Sequence, residues 1–179
     1  FEKWGDAIAA YTKAIEFETE EIKEKKGGSY ENISVYYNNK GLALYHENDE
    51  ENAIRDFDEA IRLLKSNPDT KENPENYFNR GNVFMKKEEF SEAHKDYDLA
   101  LGLDSNSAKY FHAKALCFQA QAEKFALSAE DRDLKIEDDL VSMAIEYYKQ
   151  ALSCDENFIS SMFHLGLMYR RTHNFSHKL

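Results

Sequence analysis

The chain has 179 residues, of which 42% are hydrophobic and 32% are charged, a composition typical of a folded chain rather than a disordered one. Its net charge of −11 argues against nucleic acid and anionic membranes as partners, because phosphate groups are bound by surfaces rich in Lys and Arg. With only two Pro and seven Gly, the sequence favours long helices. No apolar run approaches the ~20 residues that a membrane span needs.

Two helical patterns alternate along the chain; 12 residues separate Gly41 from Ala53 and Gly81 from Ala93, 22 separate Ala93 from Ala115, and together these spacings make a 34-residue period. One has Ala, then an aromatic residue, then Ala and an aliphatic residue, and it occurs at Ala7-Tyr11-Ala14-Ile15, Ala53-Phe57-Ala60-Ile61, Ala93-Tyr97-Ala100-Leu101 and Ala144-Tyr148-Ala151-Leu152. The other has an aromatic residue or Met, then a small residue, then an apolar one, and it occurs at Tyr37-Gly41-Leu44, Tyr77-Gly81-Phe84, Phe111-Ala115-Phe118 and Met162-Gly166-Tyr169. Each spacing predicts one face of a helix.

The predicted elements follow in chain order. Residues 1–33 hold one helix of the Ala-aromatic type and a long connection, in which we expect the helix to end at Gly27-Gly28 and Ser29 to cap the next one. Residues 34–73 hold a full pair of helices and a linker that ends at Asn73, an N-cap that Pro74 follows in the first helical position of the next pair. Residues 74–107 hold a second full pair. Residues 159–179 begin a further pair that is cut short, so we expect the parent protein to extend in both directions.

Residues 108–158 carry an insertion at about 121–140, because 29 residues separate Ala115 from Ala144 where 12 separate Gly41 from Ala53. The inserted stretch lacks Gly and Pro, so we expect both helices to extend by about two turns into an acidic spur; an irregular surface loop is the alternative. The side chains expected between the arms of the spur are Phe125, Leu127, Leu134, Ile136 and Leu140. The acidic residues expected on its surface are Glu130, Asp131, Asp133, Glu137, Asp138 and Asp139.

The paired patterns resemble the tetratricopeptide repeat (TPR), whose signature is W-x2-L-G-x2-Y followed by A-x3-F, Ala and Pro. The chain departs from it by placing Lys40, Arg80 and Lys114 where Leu is expected and by lacking the final Pro. The resemblance implies an all-α fold, a right-handed superhelical array of antiparallel helix pairs (a TPR solenoid). The small residues Gly41, Gly81, Ala115 and Gly166 would then stand where the paired helices approach most closely, facing Ala53, Ala93 and Ala144.

The resemblance also implies a concave groove lined by the first helix of each pair, where the family holds an extended peptide or a partner helix. The candidate groove residues are Asn38, Asn39, Phe78, Asn79, Asn82, Lys109, His112, Phe163 and His164. Asn side chains suit this role because their amide both donates and accepts hydrogen bonds, as a peptide backbone does. A solvated wall that holds no ligand is the alternative.

Three functions remain open. The first is a non-catalytic scaffold or adaptor for other proteins, with the acidic spur as a second surface for a basic partner. The second is a co-chaperone-type receptor for acidic chaperone C-termini; Asn79 and Lys109 match that family's carboxylate clamp, whereas Asn38, Leu42 and Ala113 do not. The third is a recruiting arm of an enzyme whose catalytic domain lies outside this sequence.

Catalysis finds no support in the sequence, which lacks a phosphate-binding loop, a nucleophile elbow and metal-ligand spacing, so no cofactor or metal is expected. His173 and His177 lie four residues apart, but we expect them to be surface histidines. Cys117 and Cys154 lack CxxC partners and are expected to be reduced thiols, which favours an intracellular, cytoplasmic location; cytoskeletal and ciliary roles are compatible with the family.

Overall fold

The computed structural model describes residues 2–128 and 134–176, and every regular element in this part of the chain is an α-helix. The eight helices are α1 (Glu2–Lys23), α2 (Tyr30–His46), α3 (Glu50–Ser66), α4 (Pro74–Lys86), α5 (Phe90–Leu103), α6 (Ala108–Ser128), α7 (Leu134–Cys154) and α8 (Ile159–Ser176). The all-α prediction is therefore confirmed. None of the described helices combines the length and the apolar composition that crossing a membrane requires.

The chain divides into two compact units, Phe1–Lys87 with α1–α4 and Glu88–Leu179 with α5–α8. Residues 74–107 therefore supply α4 to the first unit and α5 to the second.

Local side chains determine where the helices of the first unit begin. The Ser29 hydroxyl accepts hydrogen bonds from the backbone N–H groups of Glu31 and Asn32 at the start of α2. The Asn73 side-chain oxygen Oδ1 accepts one from the backbone N–H of Glu75 at the start of α4, where Pro74 takes the first helical position. Both predicted N-caps are confirmed, because capping depends on residues adjacent in sequence.

The predicted end of α1 at Gly27-Gly28 is wrong, since α1 ends at Lys23. Lys26 N–H bonds to the carbonyl of Glu21, and Lys25 N–H bonds to that of Ile22, which is the Schellman pattern. Lys25 therefore occupies the left-handed position, with φ of 56°, that glycine usually fills.

Consecutive helices of the first unit pack antiparallel. Near the open end of the α2–α3 pair the buried Ser34 hydroxyl donates to the carbonyl of Ala60, and midway along it Lys40 lies 3.1 Å from Asp56. The α2 and α4 helices run parallel, since the Asn76 amide at the start of α4 donates to Ser34 at the start of α2. Phe57, fully buried, forms the core between these helices with Ala53 and Val83.

The second unit follows the same plan, and two of its helices are extended. The α6 and α7 helices have 21 residues each, against 13 in α4 and 14 in α5, so each is about two turns longer than its counterpart. They enclose a core of Ala115, Ala122, Val141, Ala144 and Tyr148, to which α8 adds Met168.

The packing predicted for the spur is wrong in two places. Leu127 is 89% exposed and Ile136 is 45% exposed, whereas Ala122 and Val141 fill the interface between the arms, with Leu140 against it. Glu137 is also not a surface acid, because it is 2% exposed and its carboxylate lies 2.5 Å from the guanidinium of Arg171 on α8. Asp138 and Asp139 are exposed. The side chains of Glu130, Asp131, Asp133 and Leu134, like those of His173 and His177, lie outside the described residues.

The glycine prediction is confirmed at one position and wrong at another. A Cβ atom placed on Gly41 would lie 2.9 Å from Cε1 of the Phe57 ring, so α2 and α3 do approach closely there, although the facing residue is Phe57 and not Ala53. A Cβ atom on Gly166 would have no neighbour within 4 Å in the described part of the chain. The reason is that no described helix covers this face of α8, where Met162 and Tyr169 are 45% and 46% exposed. Gly81 and Ala115 are buried.

Acidic residues explain the cations that replace the expected Leu on the first helix of each pair. Lys40 pairs with Asp56, Arg80 with Asp58, and Lys114 with Asp98, in each case a residue of a packed neighbouring helix. Lys114 also lies over the ring of Tyr147, 4.5 Å from its centroid. An ion pair with an aromatic neighbour allows an ammonium group to occupy a position that is 5% exposed.

Candidate functional site

The nine candidate residues fall into two groups, one in each unit. Asn38 and Asn39 lie on α2 and Phe78, Asn79 and Asn82 on α4, whereas Lys109 and His112 lie on α6 and Phe163 and His164 on α8. In each unit the two helices concerned run parallel, which brings equivalent positions of successive repeats side by side. Two candidate surfaces result.

In the first unit, three asparagines form what we name the asparagine cluster: Asn38, Asn39 and Asn79. The Asn79 amide nitrogen donates to Asn38 Oδ1 at 2.9 Å, and the Asn38 amide nitrogen lies 3.5 Å from Asn39 Oδ1. Asn79 is 8% exposed, while Asn38 and Asn39 are partly exposed. Phe78 and Asn82 are partly exposed on α4. The cluster therefore presents amide groups, already oriented by one another, at the surface of the first unit.

In the second unit, a hydrogen-bonded network that we name the histidine cluster joins three helices: His112 and Gln119 on α6, Tyr148 on α7, and Ser161 and His164 on α8. His112 Nδ1 lies 2.8 Å from Ser161 Oγ, and His164 Nδ1 lies 3.2 Å from Gln119 Oε1. The Tyr148 hydroxyl donates to the same Gln119 oxygen at 2.8 Å. The His164 ring stacks on the Tyr148 ring, 5.7 Å between centroids.

Burial favours the neutral forms of His112 and Tyr148 in the histidine cluster. It lowers the pKa of His112 to about 4, with a smaller contribution from the nearby His164. It also raises the pKa of the fully buried Tyr148 well above its ordinary value. His112 and Tyr148 therefore contribute neutral polar groups to the cluster at pH 7.

Lys109 and Phe163 lie on the exposed side of the same helices. The Lys109 ammonium group lies 5.0 Å from the centroid of the Tyr110 ring. Phe163 is 62% exposed, and its ring meets that of His164 edge-on at 5.4 Å. An aromatic ring so exposed beside a polar network is a feature of contact surfaces.

A cleft of about 290 Å³ lies between α6 and α8, next to the histidine cluster. Gln119, Leu167 and Met168 line it, with Glu123 and Arg170 as charges of opposite sign and Arg171 engaged by Glu137. Gln119 belongs to both cleft and cluster, since its amide nitrogen donates to Glu123 at 3.0 Å.

The described residues hold little that suggests catalysis. No three His, Cys, Asp or Glu side chains among them are grouped as metal ligands. Burial raises the pKa of the Cys117 thiol to about 12, so this group is a thiol and not a nucleophilic thiolate at pH 7.

Sequence reasoning missed Gln119, Tyr148 and Ser161. Gln119 lies seven residues after His112, so helical spacing places both on one face of α6 and could have indicated it. Tyr148 was assigned to the core pattern, and its hydroxyl partner is 29 residues away in sequence. Ser161 carries no signal of its own, because Ser is common on helix surfaces.

Comparison with known proteins gives a family and a fold. The tetratricopeptide repeat model matches residues 34–67 and 74–107. Among solved structures, the first TPR of Spaghetti (RPAP3) bound to the HSP90 peptide SRMEEVD is 15% identical with a TM-score of 0.63, and the match covers 80% of this chain and 95% of that one. MamA is 18% identical with a TM-score of 0.67, covering 95% of this chain and 79% of that one.

Human IFIT1 with m7Gppp-AAAA is 18% identical with a TM-score of 0.66, covering 79% of this chain but 30% of that one. No curated protein sequence matches this chain. At these identities the structural similarity shows the fold alone. With residues 34–67 and 74–107 matched by the family model and with TPR structures as neighbours, these two segments are tetratricopeptide repeats and the chain has the fold of a TPR solenoid.

Proposed function

We propose that this chain is a non-catalytic scaffold or adaptor segment that binds an extended peptide or a partner helix of another protein. The asparagine cluster is the observation that carries the proposal. Its amides offer both donors and acceptors at the surface of the first unit, which is what an extended main chain requires of its receptor.

The chain's charge supports a protein partner over nucleic acid or an anionic membrane. A net charge of −11 opposes a polyphosphate, although human IFIT1, which has a similar fold, occurs with m7Gppp-AAAA. We also propose that the scaffold acts inside the cell, which is supported by the two cysteines being free thiols. A basic partner at the inserted spur stays a prediction, with Asp138 and Asp139 as its described acids.

A selection for binding peptides tests the proposal. The full chain is screened against a display library of random 12-residue peptides, and the enriched peptides are synthesised and titrated by calorimetry. We expect Asn38→Ala and Asn39→Ala to weaken a main-chain-directed peptide about threefold to tenfold each, the value of one hydrogen bond. The control Asn106→Ala, an exposed asparagine between α5 and α6, should change nothing. A library that yields no binding peptide would refute the proposal.

The co-chaperone alternative is favoured by the resemblance of the fold to the RPAP3 domain that holds SRMEEVD. Against it, Asn38 and Ala113 stand where the clamp needs cations, and Ala113 is buried. Titration with SRMEEVD decides: micromolar affinity that is lost in Lys109→Ala would replace the general scaffold with a chaperone receptor. Absence of binding would leave the scaffold in place, either alone or as the recruiting arm of an enzyme.

A further inference from the structure

We propose that His164 Nε2, flanked by the exposed Phe163 ring, is a hydrogen-bond acceptor that receives an N–H group from a neutral, extended segment of another protein. The inference rests on the proposed function, which it deepens by giving the second unit its own subsite and by stating the partner's chemistry. The argument begins with the direction of each hydrogen bond in the histidine cluster.

The side-chain amide of Gln119 determines which groups donate and which accept in the hydrogen bonds of the histidine cluster. Its amide nitrogen donates to the Glu123 carboxylate at 3.0 Å, so the other end of the amide is the carbonyl oxygen, Oε1. This oxygen only accepts. It receives the Tyr148 hydroxyl at 2.8 Å, a group kept protonated by burial, and it lies 3.2 Å from His164 Nδ1.

The tautomer of His164 follows from this. An acceptor faces Nδ1, so Nδ1 carries the proton, and in the neutral imidazole Nε2 is then an unprotonated acceptor. No hydrogen bond to Nε2 occurs within the described part of the chain, and the ring is partly exposed. The folded protein thus holds an imidazole with its donor satisfied and its acceptor available.

The surroundings define the kind of partner that fits. Phe163 beside His164 is 62% exposed, and Leu167 lies one turn further on, lining the cleft of about 290 Å³. The cleft's charges, Glu123 and Arg170, are of opposite sign, and Arg171 is neutralised by Glu137. A main-chain N–H group could donate to Nε2 while an apolar side chain beside it contacts Phe163 and Leu167. A carboxylate or an ammonium group would find no net opposite charge here.

Two substitutions separate the two nitrogens of His164. Asn places an amide nitrogen where Nδ1 is, so His164→Asn keeps the bond to Gln119 and removes the acceptor. Gln reaches the position of Nε2, so His164→Gln keeps a group that can accept and loses the bond to Gln119. His46→Asn, on the exposed His46 of the first unit, is the matched control.

The first test reads the tautomer without any ligand. Long-range ¹H–¹⁵N correlation spectra of the uniformly ¹⁵N-labelled full chain at pH 7.5 report which nitrogen of each histidine carries the proton. We expect the proton of His164 on Nδ1. A proton on Nε2 would overturn the inference while leaving the proposed function untouched.

The second test selects random 12-residue peptides on the wild-type chain, keeps those whose binding is unchanged in Asn38→Ala, and titrates them against the His164 variants. We expect such peptides to bind His164→Asn about threefold to tenfold more weakly, and to bind His164→Gln and His46→Asn within about twofold of wild type. Their affinity should change by less than about threefold between 50 and 500 mM salt, because the contact is neutral.

The outcomes distinguish this inference from the proposed function. Peptides that bind wild type and His164→Asn equally would overturn the inference and support the scaffold. Strong salt dependence would also overturn it, by indicating a charged occupant. A library without any binder would refute both. Unfolding midpoints of the variants, measured by urea titration, must match wild type for a loss of binding to count as a loss of the acceptor.

Discussion

Replacing Gly41 by Ala should destabilise the first unit, contrary to what helix propensity alone predicts. In an unobstructed helix this change is stabilising by ~1 kcal/mol. Here the new Cβ would lie 2.9, 3.0 and 3.2 Å from three atoms of the Phe57 ring, closer than packed carbon atoms tolerate. Phe57 is fully buried among Ala53 and Val83, so its ring has little room to move. Overpacking of this kind costs about 1–3 kcal/mol, so the middle of this range leaves a net loss of about 1 kcal/mol after the gain in helix propensity.

Gly166→Ala is the matched control, because Gly166 also lies inside a helix but has no neighbour within 4 Å in the described chain. It should be neutral or stabilising by up to ~1 kcal/mol. Urea unfolding followed by the fluorescence of Trp4, the only Trp, reports on the first unit, where its ring stacks on His46. Hydrogen exchange measured by mass spectrometry follows both units. The reasoning fails if Gly41→Ala unfolds at the same or a higher urea concentration than wild type.

Three further predictions concern the second unit and are measured by urea titration. Arg171→Met should lower the free energy of unfolding by about 3–5 kcal/mol, because it leaves the carboxylate of Glu137 unpaired at 2% exposure. A second change, Glu137→Leu, should recover most of that loss. Equal stability of Arg171→Met and wild type would contradict this. Lys114→Leu should unfold within about 1 kcal/mol of wild type, because Asp98 remains solvated. Asp98→Ala should lose more stability than Lys114→Leu, because it leaves the ammonium group of Lys114 buried without its carboxylate. The reverse order would contradict the ion-pair account. Acidification from pH 7 to pH 4 should lower the free energy of unfolding by up to about 3 kcal/mol through His112. The pKa of His112 is about 4 in the folded chain and ~6.5 in the unfolded chain, so the unfolded chain binds the proton first. A His112→Phe chain that loses the same stability would refute this.

The parts of the fold that depend on neighbours in sequence could be predicted from it. The Ser29 and Asn73 caps are set within three residues, and the repeat of Ala and aromatic residues marks the buried face of each helix. Helical extension of α6 and α7 followed from strong helix formers without Gly or Pro.

Contacts between distant residues could not be predicted in the same way. Periodicity assigned Leu127 and Ile136 to a face of their helices, but it does not say whether another helix covers that face, and both are exposed. The Glu137–Arg171 pair joins residues 34 apart, so Glu137 looked like one more surface acid. Gly166 repeats the Gly41 pattern, yet of these two glycines Gly41 alone has a ring packed against it in the described part of the chain.

The candidate site, too, depends on contacts between distant residues that the sequence does not reveal. Spacing placed His112 and His164 on the first helices of their pairs, and the structure brings them to 5.6 Å between ring centroids. The bonds that orient them run through Gln119, Tyr148 and Ser161, whose roles arise only when three helices meet.

The burial of Cys117 has a practical consequence for solution studies. Its sulfur is fully enclosed and protonated, whereas Cys154, at the end of α7, is partly exposed. A maleimide dye should therefore attach to the second unit at one site without any cysteine being engineered. With the indole of Trp4 in the first unit as donor and the dye as acceptor, resonance energy transfer can then be measured without any engineered residue. A change in the distance between Trp4 and Cys154 on binding a partner would appear as a change in transfer efficiency.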